Sequence, residues 1–252
     1  MEVHAHSHSH GKKNWRSYFW EFLMLFLAVF CGFLAENQRE HIVENQREKK
    51  YAASLLEDLI KDTADLSTDI PFWERYLKTI DTLRTELQKP AEQRNDLLTY
   101  RCARFMRFYN NFAYHDRTIA QLKSSGNFRL IKNSNLADSL TDYDATIRLV
   151  LHDQEMQSND IWQNLNFLQD QLFNSAFYKF YDGENPDTFD SAARQNPEMI
   201  KIRKGKDDLL FEYFNRLEYY HQMNEYRNYN NKSLLSDATN LIGMIKRQYH
   251  LK

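Results

Sequence analysis

From Tyr18 to Ala35 the chain reads YFWEFLMLFLAVFCGFLA, apolar at every position except Glu21. Trp15 to Ser17 bring it to about 20 residues, the length that crosses a bilayer as a helix. Trp15, Tyr18 and Trp20 stand at its start, where amphipathic rings favour the headgroup level. Beyond Ala35 the apolar pattern becomes periodic. No Gly or Pro follows until Pro71, the string ENQRE occurs at 36–40 and again at 44–48, and Ala52, Leu55, Leu56, Leu59, Ile60 and Leu66 recur at helical spacing. The pattern predicts a membrane helix that continues outward through a charged collar and packs at its far end.

Further helices follow from the same periodicity. Asp69 ahead of Pro71 has the form of an N-cap with proline in the first turn, and Trp73, Tyr76, Leu77, Ile80, Leu83 and Leu87 mark an apolar face that Pro90 ends. Leu97, Leu98, Phe105, Met106, Tyr109 and Phe112 indicate a helix running on to Leu122, closed by Gly126 as a left-handed cap. Asn133 or Asn135 caps a long helical region through Leu136, Leu140, Tyr143, Ile147 and Leu151, continued by Ile161, Leu165, Leu168, Leu172 and Phe173. The stretch from Gly183 to Pro197 reads as a loop. Leu210, Leu217, Asn224, Asn231, Ala238 and Ile245 lie seven apart on a last helix beginning at Asp207. That heptad spacing places Asn224 and Asn231 in a seam, where amides fix register and oligomer state, unless the phase drifts and exposes them.

The expected fold class is all-α, a single N-terminal transmembrane helix continuing into an elongated extracytoplasmic helical bundle. Its segments are a His-rich cytoplasmic tail (1–14), the transmembrane helix (15–35) and a helical domain (36–252). Direction follows from charge. Lys12, Lys13 and Arg16 precede the apolar segment, whereas 36–40 carries Arg39 beside two glutamates, so the N-terminus is expected inside. A cleaved signal peptide would need small residues at the cleavage site, but Phe33 holds the −3 position relative to Ala35 and Phe30 precedes Cys31, so the anchor is expected to stay.

One face of the membrane helix carries Glu21, Ala28, Gly32 and Ala35 within a sector of about 60°. Small residues let a second helix approach closely in lipid, and Ala28 and Gly32 form a small-xxx-small pair, a transmembrane interface in prospect. Glu21 either snorkels to the cytoplasmic interface or meets a partner on another helix.

Composition narrows the chemistry. With 42% apolar residues, six Gly, four Pro and a formal charge of −2 over 252 residues, a packed helical protein is expected and a nucleic-acid partner is not. The two cysteines, Cys31 and Cys102, read as small buried hydrophobes. His4, His6, His8 and His10 alternate, so an extended chain would align four imidazoles for a transition metal, though no second shell is evident to orient them. Glu218 and His221 provide one Glu-x-x-His pair of the kind that di-metal bundles require twice. Lys201, Arg203, Lys204 and Lys206 form a basic patch before the last helix, offset by Asp207 and Asp208. No nucleophile elbow, phosphate-binding glycine loop or paired-cysteine zinc motif is present, and no cofactor or small-molecule substrate is expected.

The strings KKNWRSYFWEFLMLFLAVFCGFLAEN, REKKYAASLLEDLIKD and LKSSGNFRLIKNSNL, after a His-rich start, resemble those of a family of uncharacterised single-pass helical envelope proteins of Gram-negative bacteria. In that family a Glu opens the membrane helix, a Gly lies near its end and a Ser-Gly turn precedes a Leu-Ile pair; Glu21, Gly32, Ser125-Gly126 and Leu130-Ile131 match. The resemblance implies an inner-membrane protein with a periplasmic C-terminal domain and no known reaction. The expected function is a non-enzymatic scaffold or accessory subunit of an envelope complex, partnered by the membrane and by other envelope proteins or its own copies. A ligand-binding or sensory ectodomain that signals through a partner is the alternative, and a metal-dependent enzyme a remote one.

Overall fold

A computed structural model describes residues 14–180 and 186–251. Among these residues there is no strand. Seven α-helices follow one another: α1 (Trp15–Leu87), α2 (Asp96–Phe105), α3 (Arg117–Ser124), α4 (Ser134–Asp160), α5 (Asn166–Leu172), α6 (Pro186–Gln195) and α7 (Asp207–Tyr249). The chain divides into two compact units, Met1–Tyr51 and Ala52–Lys252.

The first unit presents its apolar residues outward: from Trp15 to Leu34 the large hydrophobic side chains other than the half-buried Leu23 are exposed rather than packed. It contains the one described stretch long and apolar enough to cross a membrane, and none of that stretch is buried.

The second unit is built on the rest of α1, on α4 and α5, and on α7. Leu55, Leu59, Leu66, Trp73, Tyr76, Ile80 and Leu83 face inward from α1. α7 packs against α4 and α5. It runs antiparallel to α1, as Asp69 meets Asn231, Trp73 meets Arg227 and Arg84 meets Glu218. It is antiparallel to α4 as well, since Asp160 meets Tyr220 while Tyr143 shares a groove with Leu241. A π-helical segment (Ile161–Leu165) joins α4 to α5. Its wider turn re-phases the helix, so that Ile161 and Leu165 are buried together with Leu168 and Leu172.

Three expectations are corrected. α1 runs through Pro71 without a break, so Asp69 is no N-cap; the buried row from Leu66 through Trp73 to Leu87 outweighs the roughly 3 kcal/mol that an interior proline costs. The single helix expected from Leu97 to Leu122 is two, α2 and α3, separated by irregular backbone over 106–116. Tertiary donors take the backbone carbonyls that helix continuation would need: Tyr76 Oη donates to Met106 O at 3.0 Å and Arg227 Nη2 to Asn110 O at 2.5 Å. The loop expected over 183–197 contains α6, anchored by Phe189 and Ala193 in the core, where Phe189 packs on Tyr100 and Phe177.

The caps read as the spacing predicts. Asn133 Oδ1 accepts from Leu136 N at 3.1 Å at the start of α4, and Gly126 sits at φ 68° after α3. α7 begins at Asp207 and spans 43 residues, about 65 Å.

Candidate functional site

The stripe expected to form a transmembrane interface lies on exposed helix. Glu21, Ala28, Gly32 and Ala35 are all solvent-facing on α1. A Cβ added at Gly32 would meet nothing within 4 Å among the described residues, so none of them requires the glycine there. On the side of the helix away from the stripe Phe22, Phe26 and Phe30 stack along it with ring centroids 6.2 and 5.8 Å apart. This surface is apolar and exposed, with one flank of small residues.

In the second unit the most elaborate polar arrangement belongs to α1. Asp58, Asp62 and Asp69 fall within about 40° of one another around the helix and are all buried. Asp58 Oδ2 accepts from Thr118 N at 3.0 Å and from Thr118 Oγ1 at 2.5 Å, while Arg117 Nη2 donates to Oδ1 at 3.2 Å. It thereby caps the first turn of α3 from another helix, a role that Asp116, at the N-cap position itself, does not take with its side chain. Asp62 Oδ1 accepts from His115 N at 2.9 Å and lies 3.0 Å from His115 Nδ1, and Tyr143 Oη donates to Oδ2 at 3.0 Å. Asp69 accepts from Asn110 Nδ2 at 2.8 Å and from Asn231 Nδ2 at 2.6 Å. Burial raises the Asp62 carboxyl above its ordinary value against the pull of His115 and Tyr143, and burial likewise raises that of Asp69 against the nearby Arg227.

Arg227 is the cation of this seam. It is 2% exposed and lies over the Trp73 ring, its guanidinium carbon 3.9 Å from the centroid, and Nη2 donates to the Asn110 carbonyl and to Asn111 Oδ1 at 3.0 Å. Burial lowers its pKa to about 10 against the attraction of Asp69. A further buried carboxylate, Asp144 of α4, is held below its ordinary value: burial acts to raise it, but hydrogen bonds from Arg148, Lys123 and Tyr114 prevail.

The two asparagines of the heptad face inward. Asn231 serves Asp69, and Asn224 Nδ2 turns back to Tyr220 O at 2.7 Å. Glu218 and His221 do not converge on a metal. Glu218 is bonded by Arg84 Nε at 2.7 Å and His221 Nε2 lies 3.2 Å from Asp81, so both tie α7 to α1. Among the described residues no group of three or more His, Cys, Asp or Glu is placed to hold a metal ion. His4, His6, His8 and His10 lie outside the described residues.

The basic patch is spread out. Lys201 pairs with Glu198 at 2.5 Å, both exposed, Arg203 N donates to Leu172 O at 2.9 Å, and Lys206 stands immediately before α7. Lys201, Arg203 and Lys204 line an open depression of about 370 Å³ with Glu198 and Asn174. Cys31 is exposed on the apolar helix and is thus not the buried hydrophobe expected there. Cys102 is buried, and burial pushes its thiol up to about 11, which keeps it unreactive.

The buried aspartates are the feature that sequence reasoning missed. Their signal was available as Asp58, Asp62 and Asp69 at i, i+4 and i+11 on the face that also carries Leu55, Leu59 and Leu66. In this structure both oxygens of each carboxylate are engaged by protein donors, which makes them latches that hold the 106–116 segment, α3 and α7 to α1. Comparison with protein-family models, with curated proteins and with solved structures found no match for this chain.

Proposed function

We propose that this chain is a membrane-anchored, non-enzymatic scaffold or accessory subunit of an envelope complex, inserted by the N-terminal part of α1 with its tail in the cytoplasm and its helical domain across the inner membrane. The observation that carries the reading is the inversion of burial along one helix: α1 is apolar and exposed from Trp15 to Leu34, yet from Leu55 to Leu87 it supplies buried residues to a folded core. Only a lipid or protein environment makes the first arrangement stable in the cell, because an exposed apolar surface of that size is not tolerated in water. The basic residues before the segment support the orientation. The smooth flank of Ala28, Gly32 and Ala35 supports association with another helix, since among the described residues nothing lies within 4 Å of a Cβ built at Gly32.

The polar residues of the second unit favour a structural role. Its buried carboxylates are spent on cross-links, and the groove between α4 and α7 lined by Ser139, Asp142, Thr146 and Asp237 has about 270 Å³, just below the volume usual for ligand sites.

Fractionation of cells expressing the full chain tests the anchor. The protein is expected to stay with the membrane through alkaline carbonate and high salt and to leave only with detergent, and external protease acting on spheroplasts is expected to remove the domain after residue 52. Full-length protein in the aqueous supernatant would end this reading.

A further inference from the structure

Two turns of α7 interrupt its apolar seam with buried polar side chains, and we propose that the layer they form with α4 is an internal hydration site, closed around ordered water that completes its hydrogen bonds. Leu217 and Tyr220 precede the layer on the inward face and Leu234 and Ala238 follow it; between them the buried positions are Asn224, Arg227 and Asn231. Across from these α4 buries Gln154 and, one turn on, Ser158. Ser158 Oγ and Arg227 Nη2 lie 3.3 and 3.0 Å from the same oxygen, Asn111 Oδ1, which brings the two helices together at this level. Because α4 and α7 are antiparallel, Gln154 then falls at the level of Asn231.

The layer has more hydrogen-bonding capacity than its own side chains use. Gln154, Asn224, Arg227 and Asn231 are at most 2% exposed. Yet Gln154 Nε2 and Oε1, Asn224 Oδ1, Asn231 Oδ1, and Arg227 Nε and Nη1 find no hydrogen-bond partner among the described residues. Asn224 and Asn231 turn their nitrogens to Tyr220 O and to Asp69, which fixes their oxygens as the free ends. Buried polar atoms in folded proteins are nearly always paired, with protein or with ordered water. Six left over in one layer is out of keeping with the narrow margin by which a domain is stable.

The mixture of free groups selects the occupant. Three of the six atoms are donors and three are acceptors, and water serves both kinds, with about three bonds to each buried molecule, so about two molecules satisfy the layer. An ion fits poorly. Asp69 already stands beside Arg227, and a further charge would be buried without a counterpart. The layer is closed above and below by Tyr220 and Leu234, 1% and 0% exposed, which favours the smallest molecule able to donate and accept. The inference concerns the folded domain alone and goes beyond the anchored-scaffold reading, on which it does not depend.

The test is radiolytic hydroxyl footprinting of the full chain in mild detergent, because ionisation of a bound water oxidises the ring beside it however deeply that ring lies. Trp73 is 0% exposed beneath Arg227, and Tyr100 is equally buried among Phe173, Phe177 and Phe189. With each rate taken relative to the unfolded chain, Trp73 is expected to oxidise about fivefold faster than Tyr100. The amides of 224–231 should exchange with deuterium as slowly as those of 234–241, which excludes opening of α7 as the route to Trp73. Gln154→Met keeps the approximate volume but takes two partners from the water, so Trp73 oxidation should fall and the melting temperature drop by about 2–6 °C. In a dry layer the same substitution deletes two unpaired buried atoms and raises the melting temperature. Trp73 as protected as Tyr100, fast exchange over 224–231, or Gln154→Met melting at or above wild type would each overturn the inference. Full-length protein in the aqueous supernatant would remove the anchor and leave the hydrated layer standing.

Discussion

Asp69 on α1 and Asn231 on α7 are 162 residues apart in the chain and meet through a 2.6 Å hydrogen bond, both excluded from solvent. Asn231→Leu keeps the approximate volume but removes a donor from a buried carboxylate that retains Asn110. A buried ionisable group deprived of one partner costs about 2–3 kcal/mol. The melting temperature of the full chain in detergent, followed by circular dichroism at 222 nm, should fall by about 4–12 °C.

Asp62 makes stability depend on pH in an unusual direction. Its carboxyl is raised above 3.8 by burial, so the folded state holds the proton more tightly than the unfolded state does. The contribution of Asp62 therefore declines as pH rises from that ordinary value through the raised one. Asp62→Asn removes this dependence, and the melting temperature of the variant relative to wild type should be higher at pH 7 than at pH 4. Asp144 supplies the opposite sign: its pKa is lowered, so its contribution is present above the ordinary value and is lost as pH falls through the folded one. Asp144→Asn should cost more at pH 7 than at the acid end of the titration.

Pro71 is an exposed proline inside α1, without the N–H that would bond to the carbonyl four residues earlier. Pro71→Ala should restore that bond and stabilise by about 1–2 kcal/mol, raising the melting temperature by about 2–8 °C. A fall would mean that the proline sets a bend on which the seating of Trp73 depends.

Gly126 adopts φ 68°, and a Cβ there would meet nothing within 4 Å. Gly126→Ala isolates the conformational penalty of the left-handed region, about 1 kcal/mol, without steric conflict. The melting temperature should fall by about 2–4 °C, and Gly126→Asn should recover part of it.

Features that depend on a short run of residues were legible in the sequence: the apolar segment before Ala35, the Asn133 cap, the Gly126 turn and the start of α7 at Asp207. Those decided by distant partners were not. Pro71 resembles a helix start in its own neighbourhood, and only the buried row on both sides of it shows why α1 continues. The 106–116 segment carries helical spacing, yet Tyr76 and Arg227 claim its carbonyls from 30 and 117 residues away. The engagement of Asp58, Asp62 and Asp69 is not legible locally, because the atoms they bond lie from 41 to 162 residues further along. The heptad of α7 leaves open which way its asparagines point, and Asp69 answers that for Asn231.

The separation of Asp69 from Asn231 also sets a timetable for biogenesis. At about 5–20 residues per second, translation delivers α7 roughly 10–30 s after the helix it must cover. During that interval Trp73, Tyr76 and their neighbours on the nascent chain have no shelter from α7, while the three aspartates keep the same face hydrated and discourage premature clustering. Charges that are costly once enclosed would thus act as temporary solubilisers, and a holding chaperone would find its substrate in the segment between Leu55 and Leu87.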